Sequence, residues 1–299
     1  MGDATASPDH DAVLQAMRED LVLRGLSPNT VASYTLSARA FLQYAGRPVD
    51  MLDVHDIRKF LTHLIEVKHL TPATLNCYSA AMRFLFAVTL SRPLNYLQIP
   101  RQKRRKALPT ILSRAEVASL LDHCANLKHR AMLTLVYGSG LRVSEAATLK
   151  VSDIDSKAMR VFVTGGKGNK DRYTILSATC LTALREYWRA YRPQHPDGWL
   201  FLGTSHVGHI TTSGVALAFK QAVRRARIPK DVSIHSLRHC FATHLLEDGA
   251  TLLQIKELLG HASIHSTTVY LHLANLTAGI HSPLDHFPAG ERGDGVAHG

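Results

Sequence analysis

The chain has 299 residues, of which 45% are hydrophobic and 20% charged, a globular composition long enough for two domains with ordinary cores. No apolar run approaches the roughly 18 residues of a membrane span, and the start MGDATASPDHDAV lacks a basic region followed by an apolar one, so a soluble, unprocessed, cytoplasmic protein without a membrane partner is expected. Cys77, Cys124, Cys180 and Cys240 form no CxxC pair, which argues against a zinc knuckle or disulfide scaffold, and the formal net charge of +11 calls for either a polyanionic partner or a solvated basic surface.

Residues 11–97 read as helix throughout, and residues 8–98 are assigned to a first, helical domain. Two segments in it resemble each other, LSPNTVASYTLSARAFL from Leu26 and LTPATLNCYSAAMRFLF from Leu70. Each begins with a Ser or Thr N-cap, Ser27 or Thr71, followed by proline at the first helical position, where no needed donor is lost. Thr30, Tyr34 and Arg39 then match Thr74, Tyr78 and Arg83. Recurring caps account for the threonines and tyrosines; Arg39 and Arg83 are candidate paired phosphate contacts.

Residues 1–98 hold nine basic and nine acidic residues, so the positive excess begins after them. The segment IPRQKRRKALPT, with Pro100 and Pro109 near its ends, reads as an extended linker over residues 99–110. Its Arg101, Lys103, Arg104, Arg105 and Lys106 are candidate phosphate contacts; a nuclear localisation signal is the other reading of such a block.

A second domain is assigned to residues 111–280. Ser113 and Glu116 form a capping box, and AMLTLVYGSG is apolar on every side, as a central helix would be. MRVFVTGGKGNKDRYTIL alternates on both sides of a Gly/Asn turn, the pattern of a β-hairpin. Helices are predicted over residues 178–191, 212–227, 236–247, 252–259 and 267–276. Residues 281–299, rich in proline and glycine, read as a flexible tail. The fold class is mainly α with a small antiparallel sheet.

Four segments carry candidate chemistry. In YGSGLRVSEAATL, a Gly-Ser-Gly turn is expected to open a helix with Arg142 near its start, where free amides also favour an anion. In GGKGNKDR, glycines let a hairpin tip approach a ligand and Lys167 could reach a phosphate oxygen, with Lys170 as its rival; the spacing is not that of a P-loop. In IHSLRHCFATHLLEDG, His235 and Arg238 lie three apart on one helical face and could grip one anion. His239 and His244 lack the HExxH pattern, so they read as structural and no metal site is assigned. Finally, LLGHASIHSTTVYLH places His261 at a helix break and Tyr270 nine residues later.

Taken in order, GLRVSE, GGKGNKDR, HSLRH, LGH and the tyrosine resemble the tyrosine recombinases, the family of phage integrases, Xer proteins and integron integrases, with the Xer-like and transposon-associated integrases nearest. The front of the chain is similar to that family's SAM-like, DNA-clamping core-binding domain, and the remainder to its α+β catalytic domain. The resemblance implies a site-specific recombinase acting on double-stranded DNA in a homo- or hetero-tetramer. Its catalytic residues would be Arg142, Lys167, His235, Arg238, His261 and the nucleophile Tyr270. Cleavage and rejoining would pass through a 3′-phosphotyrosyl ester without ATP, metal or other cofactor. The prolines after Tyr270 depart from the terminal helix that in relatives docks onto a neighbouring subunit. A type IB-like topoisomerase, a DNA-binding regulator and a metal-dependent phosphodiesterase are the alternative functions.

Overall fold

A computed structural model describes residues 8–95, 99, 101–103, 108–165, 171–204 and 207–274. Lys167, Lys170, Arg104, Arg105, Lys106 and the tail over residues 281–299 lie outside the described residues. The chain divides into two compact units, Met1–Lys106 and Ala107–Gly299.

In the first unit, α1 (Pro8–Leu23), α2 (Pro28–Ala45), α3 (Val54–Glu66) and α4 (Pro72–Phe84) surround an aromatic-rich core. The Phe41 ring lies 5.6 Å from Phe60 and 6.1 Å from Phe86. The expected caps form: Ser27 accepts from the Thr30 amide and Thr71 from the Thr74 amide. The two matching segments pack against each other, with equivalent positions Ser33 and Cys77 in contact at 3.1 Å. Ile99 is buried in this core, and Asn76 and Gln102 exchange two hydrogen bonds of 2.9 and 3.0 Å, so the chain remains attached to α4 as far as residue 102.

The second unit is built around α6 (Leu127–Ser139), whose Ala131, Met132, Leu133, Leu135 and Val136 are all buried because α5 (Arg114–Asp122), α8 (Ala178–Tyr191), α9 (Thr212–Arg225) and α10 (Ile234–Glu247) pack around it. A helix that is apolar all round has no solvated face, which is how it reads in the sequence. A short helix, α7 (Val143–Ala147), leads to a three-stranded antiparallel sheet, β1 (Ile154–Asp155), β2 (Arg160–Val163) and β3 (Arg172–Ile175), in the order β1-β2-β3. Val163 pairs with Arg172 at the end of the β2–β3 ladder. The main core leaves a smaller cluster of Phe241, Ala242, Leu246, Ile255, Leu259 and Tyr270, where α10 meets α11 (Leu252–Leu259).

Two local expectations change. The Gly-Ser-Gly segment closes α6 before the next helix opens: α6 runs through Ser139, Gly140 ends it at φ +62°, and Arg142 then stands at the N-cap of α7, near a helix start as expected. A Cβ there would meet the Phe241 ring at 2.3 Å, so glycine is required by both backbone conformation and space. Of the helix expected over residues 267–276, the described part, residues 267–274, is not α-helical. The chain takes 3₁₀ turns over Ile264–Ser266 and Thr268–His272, because Thr267 is buried and tied through its Oγ1 to His261 Nδ1 at 3.0 Å.

Candidate active site

Glu145 organises the site. It lies three residues after Arg142, which caps α7, and its Oε2 accepts the Arg142 backbone N–H at 2.8 Å while Oε1 takes the Arg142 guanidinium at 2.6 Å. From β3, Arg172 grips the same carboxylate with two bonds of 3.0 and 2.8 Å and also donates to the Leu258 carbonyl at the end of α11. Arg238 of α10 stands 3.7 Å from Oε2. Burial alone would raise the Glu145 pKa; the hydrogen bonds from Arg172 and the Arg142 backbone, with the two guanidinium charges, more than reverse this and hold it at about 2. Three guanidiniums against one carboxylate leave a net positive cluster.

Arg238 is 2% exposed, and its two terminal nitrogens donate to the Gly140 carbonyl at 2.7 Å and the Leu259 carbonyl at 2.6 Å. Burial, with the Arg142 charge adding to it, brings its pKa down to about 10, so it stays cationic at neutral pH. His235 and Arg238 are neighbours on α10, but the guanidinium turns inward to these carbonyls. Arg142, with 21% of its side chain exposed, is the most open of the three arginines. At the end of α11, Gly260 takes φ +64° and approaches the Arg172 side chain so closely that a Cβ would lie 2.8 Å from Arg172 Cδ. Arg172 thus braces the turn that presents His261.

Tyr270 lies inside this arrangement. It is 1% exposed, its ring near-parallel to that of His261 with centroids 6.4 Å apart, and its Oη is 3.2 Å from His239 Nδ1. Burial raises the phenol pKa, and Arg238 and Arg142 pull it back down only in part. His261 is held at about 4, chiefly by burial and then by Arg238 and Arg142. His239 is likewise held at about 4, by burial and then by His235 and Arg238. The buried centre is therefore a set of permanent cations beside a neutral phenol and neutral imidazoles.

Of the residues singled out in the sequence, Arg142, His235, Arg238, His261 and Tyr270 come together. The structure adds Glu145, Arg172, Thr267 and His239. Glu145 and Arg172 stand within the GLRVSE and GGKGNKDR segments. His239 is one helical turn from His235, with ring centroids 4.9 Å apart. His244 is held elsewhere, at 2.9 Å from the Tyr137 hydroxyl. Arg39 and Arg83 meet different surroundings despite their matching positions: Arg39 is exposed and 3.5 Å from Asp11, whereas Arg83 donates to the Ile99 carbonyl. Arg101 and Lys103 are exposed.

Residues 110–276 match the phage integrase family, and residues 13–96 match the phage integrase N-terminal SAM-like domain. The chain belongs to the phage integrase family of tyrosine recombinases. A Sinorhizobium fredii relative bearing an integrase/recombinase name is 44% identical to this tyrosine recombinase over 279 residues, covering 92% of this chain and 89% of the relative. The tyrosine recombinase XerD of Rhizobium meliloti is 33% identical over 285 residues, covering 88% and 90%. Among solved structures, XerH recombinase bound to a palindromic difH substrate superposes with a TM-score of 0.71 at 20% identity, covering 92% of this chain and 96% of that one. A lambda integrase dimer bound to a core site gives 0.71 at 17% identity, covering 87% and 94%. These two structural likenesses show the shared fold, mainly helical with a small antiparallel sheet. The chain is thus a tyrosine-type site-specific recombinase, and among the described residues no helix is long and apolar enough to cross a membrane.

Proposed function

We propose that this recombinase cuts and rejoins double-stranded DNA at specific sites through a covalent bond between Tyr270 and a 3′ phosphate, needing neither ATP nor metal. The observation that carries the reading is the position of the phenol: its oxygen lies within the same buried centre as Arg142 and Arg238, close enough for both charges to act on it. A tyrosine of pKa about 10 costs about 4 kcal/mol to ionise at neutral pH, and burial here raises that cost, so attack must be coupled to proton loss and to stabilisation of the phosphorane-like transition state.

The arginines supply that stabilisation. Arg142 reaches the non-bridging oxygens from the open side. Arg238 has further N–H groups beyond the two spent on carbonyls, and its buried charge acts at low dielectric. Losing one such donor costs about 10²- to 10³-fold in rate. His235 and His261 add hydrogen bonds to the phosphate. Lys167, on the segment joining β2 and β3, protonates the departing 5′ oxygen. The phosphotyrosyl ester keeps the energy of the broken phosphodiester, so a 5′ hydroxyl can reverse the step. Arg39 and the basic stretch Arg101, Lys103, Arg104, Arg105 and Lys106 contact the DNA backbone, and strand exchange takes place in a tetramer.

The test is a nicked suicide duplex that traps the covalent product. Tyr270→Phe should bind the duplex as the parent does and give no adduct. An adduct that survives the substitution would place the nucleophile elsewhere.

A further inference from the structure

We propose that His239 is a catalytic residue: the imidazole that takes the phenolic proton from Tyr270 as the DNA strand is cut and returns it on rejoining. This rests on the reading of Tyr270 as nucleophile. Two histidines, His239 and His261, lie against the Tyr270 ring and a third, His235, lies against His239, and they differ in what they touch. His261 Nδ1 is engaged with Thr267 Oγ1 at 3.0 Å, and its ring lies near-parallel to that of the tyrosine. His235 meets His239 edge-on, the two rings at 89°. His239 Nδ1 alone, among the described residues, has a hydrogen-bond contact with the phenol oxygen, at 3.2 Å.

The direction of that bond follows from the surroundings. The phenolic hydrogen has no other acceptor among the described residues, so Oη–H donates and the Nδ1 lone pair of a neutral His239 accepts. That is the geometry of a general base already in contact with the proton it removes. Helical spacing places it there: His239 is four residues after His235 and next to Arg238, so α10 presents its imidazole to the 3₁₀ turn carrying Tyr270 while Arg238 projects to Gly140 and Leu259.

The step balances without an added reactant. Tyr270 Oη forms a bond to phosphorus, the P–O5′ bond breaks, the phenolic hydrogen passes to His239 Nδ1, and O5′ takes a proton from Lys167. Rejoining reverses each transfer. The charged and titratable groups around His239 are His235 and Arg238 on its own helix, Tyr270 on the 3₁₀ turn and His261 on the turn after α11. In the free protein they disfavour an imidazolium. A phosphodiester brings the negative charge that makes one tolerable, so proton transfer is tied to substrate entry.

Single-turnover cleavage of the nicked suicide duplex by the full chain tests this between pH 5 and 9. His239→Asn keeps an acceptor oxygen near the Nδ1 position and cannot take a proton. It should bind DNA normally, cleave about 10²- to 10⁴-fold more slowly at neutral pH, and approach the parent rate as pH rises and the phenol ionises unaided. A wild-type rate, or a slowed rate whose pH profile runs parallel to the parent throughout, would overturn the assignment. Tyr270→Phe serves as the control: an adduct formed without Tyr270 sinks the nucleophile, whereas a Tyr270-dependent adduct indifferent to His239 sinks only the proton acceptor. If His239→Asn does not fold, ¹⁵N spectroscopy of the unsubstituted chain decides, since His239 Nδ1 must be unprotonated and must shift in Tyr270→Phe. A proton found on Nδ1 refutes the proposal.

Discussion

Replacing Glu145 by glutamine removes the one negative charge that Arg142, Arg172 and Arg238 share, with almost no change of volume. The carboxylate pKa, about 2 against an ordinary 4.5, measures what the fold gains by keeping it ionised: at about 1.4 kcal/mol per pH unit, roughly 3 kcal/mol at neutral pH. Breaking a buried pair from one side costs about 3–5 kcal/mol, the same order. Because the folded pKa lies below the unfolded one, this contribution is fully present above about pH 4.5 and is lost as pH falls towards 2. The gap between parent and Glu145→Gln should therefore shrink by about half between pH 5 and 3. The assay is built into the sequence: both tryptophans, Trp188 and Trp199, lie in the second unit, so their fluorescence in urea reports its unfolding separately from the first. At about 2–3 kcal/mol per molar urea, the midpoint should drop by about 1 M at pH 7. An unchanged midpoint, or a deficit as large at pH 3 as at pH 7, would refute the view of Glu145 as the charge that organises the arginines.

Lys167→Ala should cleave poorly and be rescued, at least partly, by DNA carrying a better 5′ leaving group at the scissile phosphate; no rescue argues against a general-acid lysine. Gly140→Ala must accommodate a left-handed backbone and an overlap with Phe241, and should destabilise the second unit by about 2–4 kcal/mol, measured by the same fluorescence transition. Phe241→Leu in that background should recover part of the loss, because the two changes share one space. Neutralising Arg101, Lys103, Arg104, Arg105 and Lys106 together should reduce the salt slope of DNA binding by at most about 4.5, near 0.9 for each phosphate contact released. An unaltered slope would remove the segment from the DNA interface.

What could be read from the sequence was what is decided locally. Ser27, Thr71 and the Ser113–Glu116 box cap helices because an oxygen a few residues from free amides satisfies them whatever the rest of the chain does. The hairpin and the all-apolar α6 follow from patterns of the same short range. Arg39 and Arg83 show where this ends: their local sequences match, yet one meets Asp11 and the other the Ile99 carbonyl, partners set by tertiary packing. In the site, Glu145 beside Arg142 is legible as an i,i+3 pair. Its grip on Arg172, 27 residues away, and the contact of His239 with Tyr270, 31 residues away, are not. Tyr270 itself stands out only through the ordered set of motifs that resembles the tyrosine recombinases, while the 3₁₀ turns that carry it adjoin a buried threonine bonded to His261.

The electrostatics explain why a nucleophile can be stored at the centre of so much positive charge. Burial acts in opposite directions on the two kinds of group, raising the phenol pKa and lowering those of the imidazoles, and both effects keep the pair neutral. The arginines act more weakly on the phenol than burial does, so their charge alone does not create a phenolate. A phosphodiester entering beside Arg142 adds a negative charge that favours protonated imidazole, while the arginines stabilise the oxygens on which charge then builds. Proton acceptance and transition-state binding thus improve together, and only once DNA is present. A site built this way has little reactivity towards water or small electrophiles in the absence of DNA, which is the property that the covalent intermediate proposed above would require.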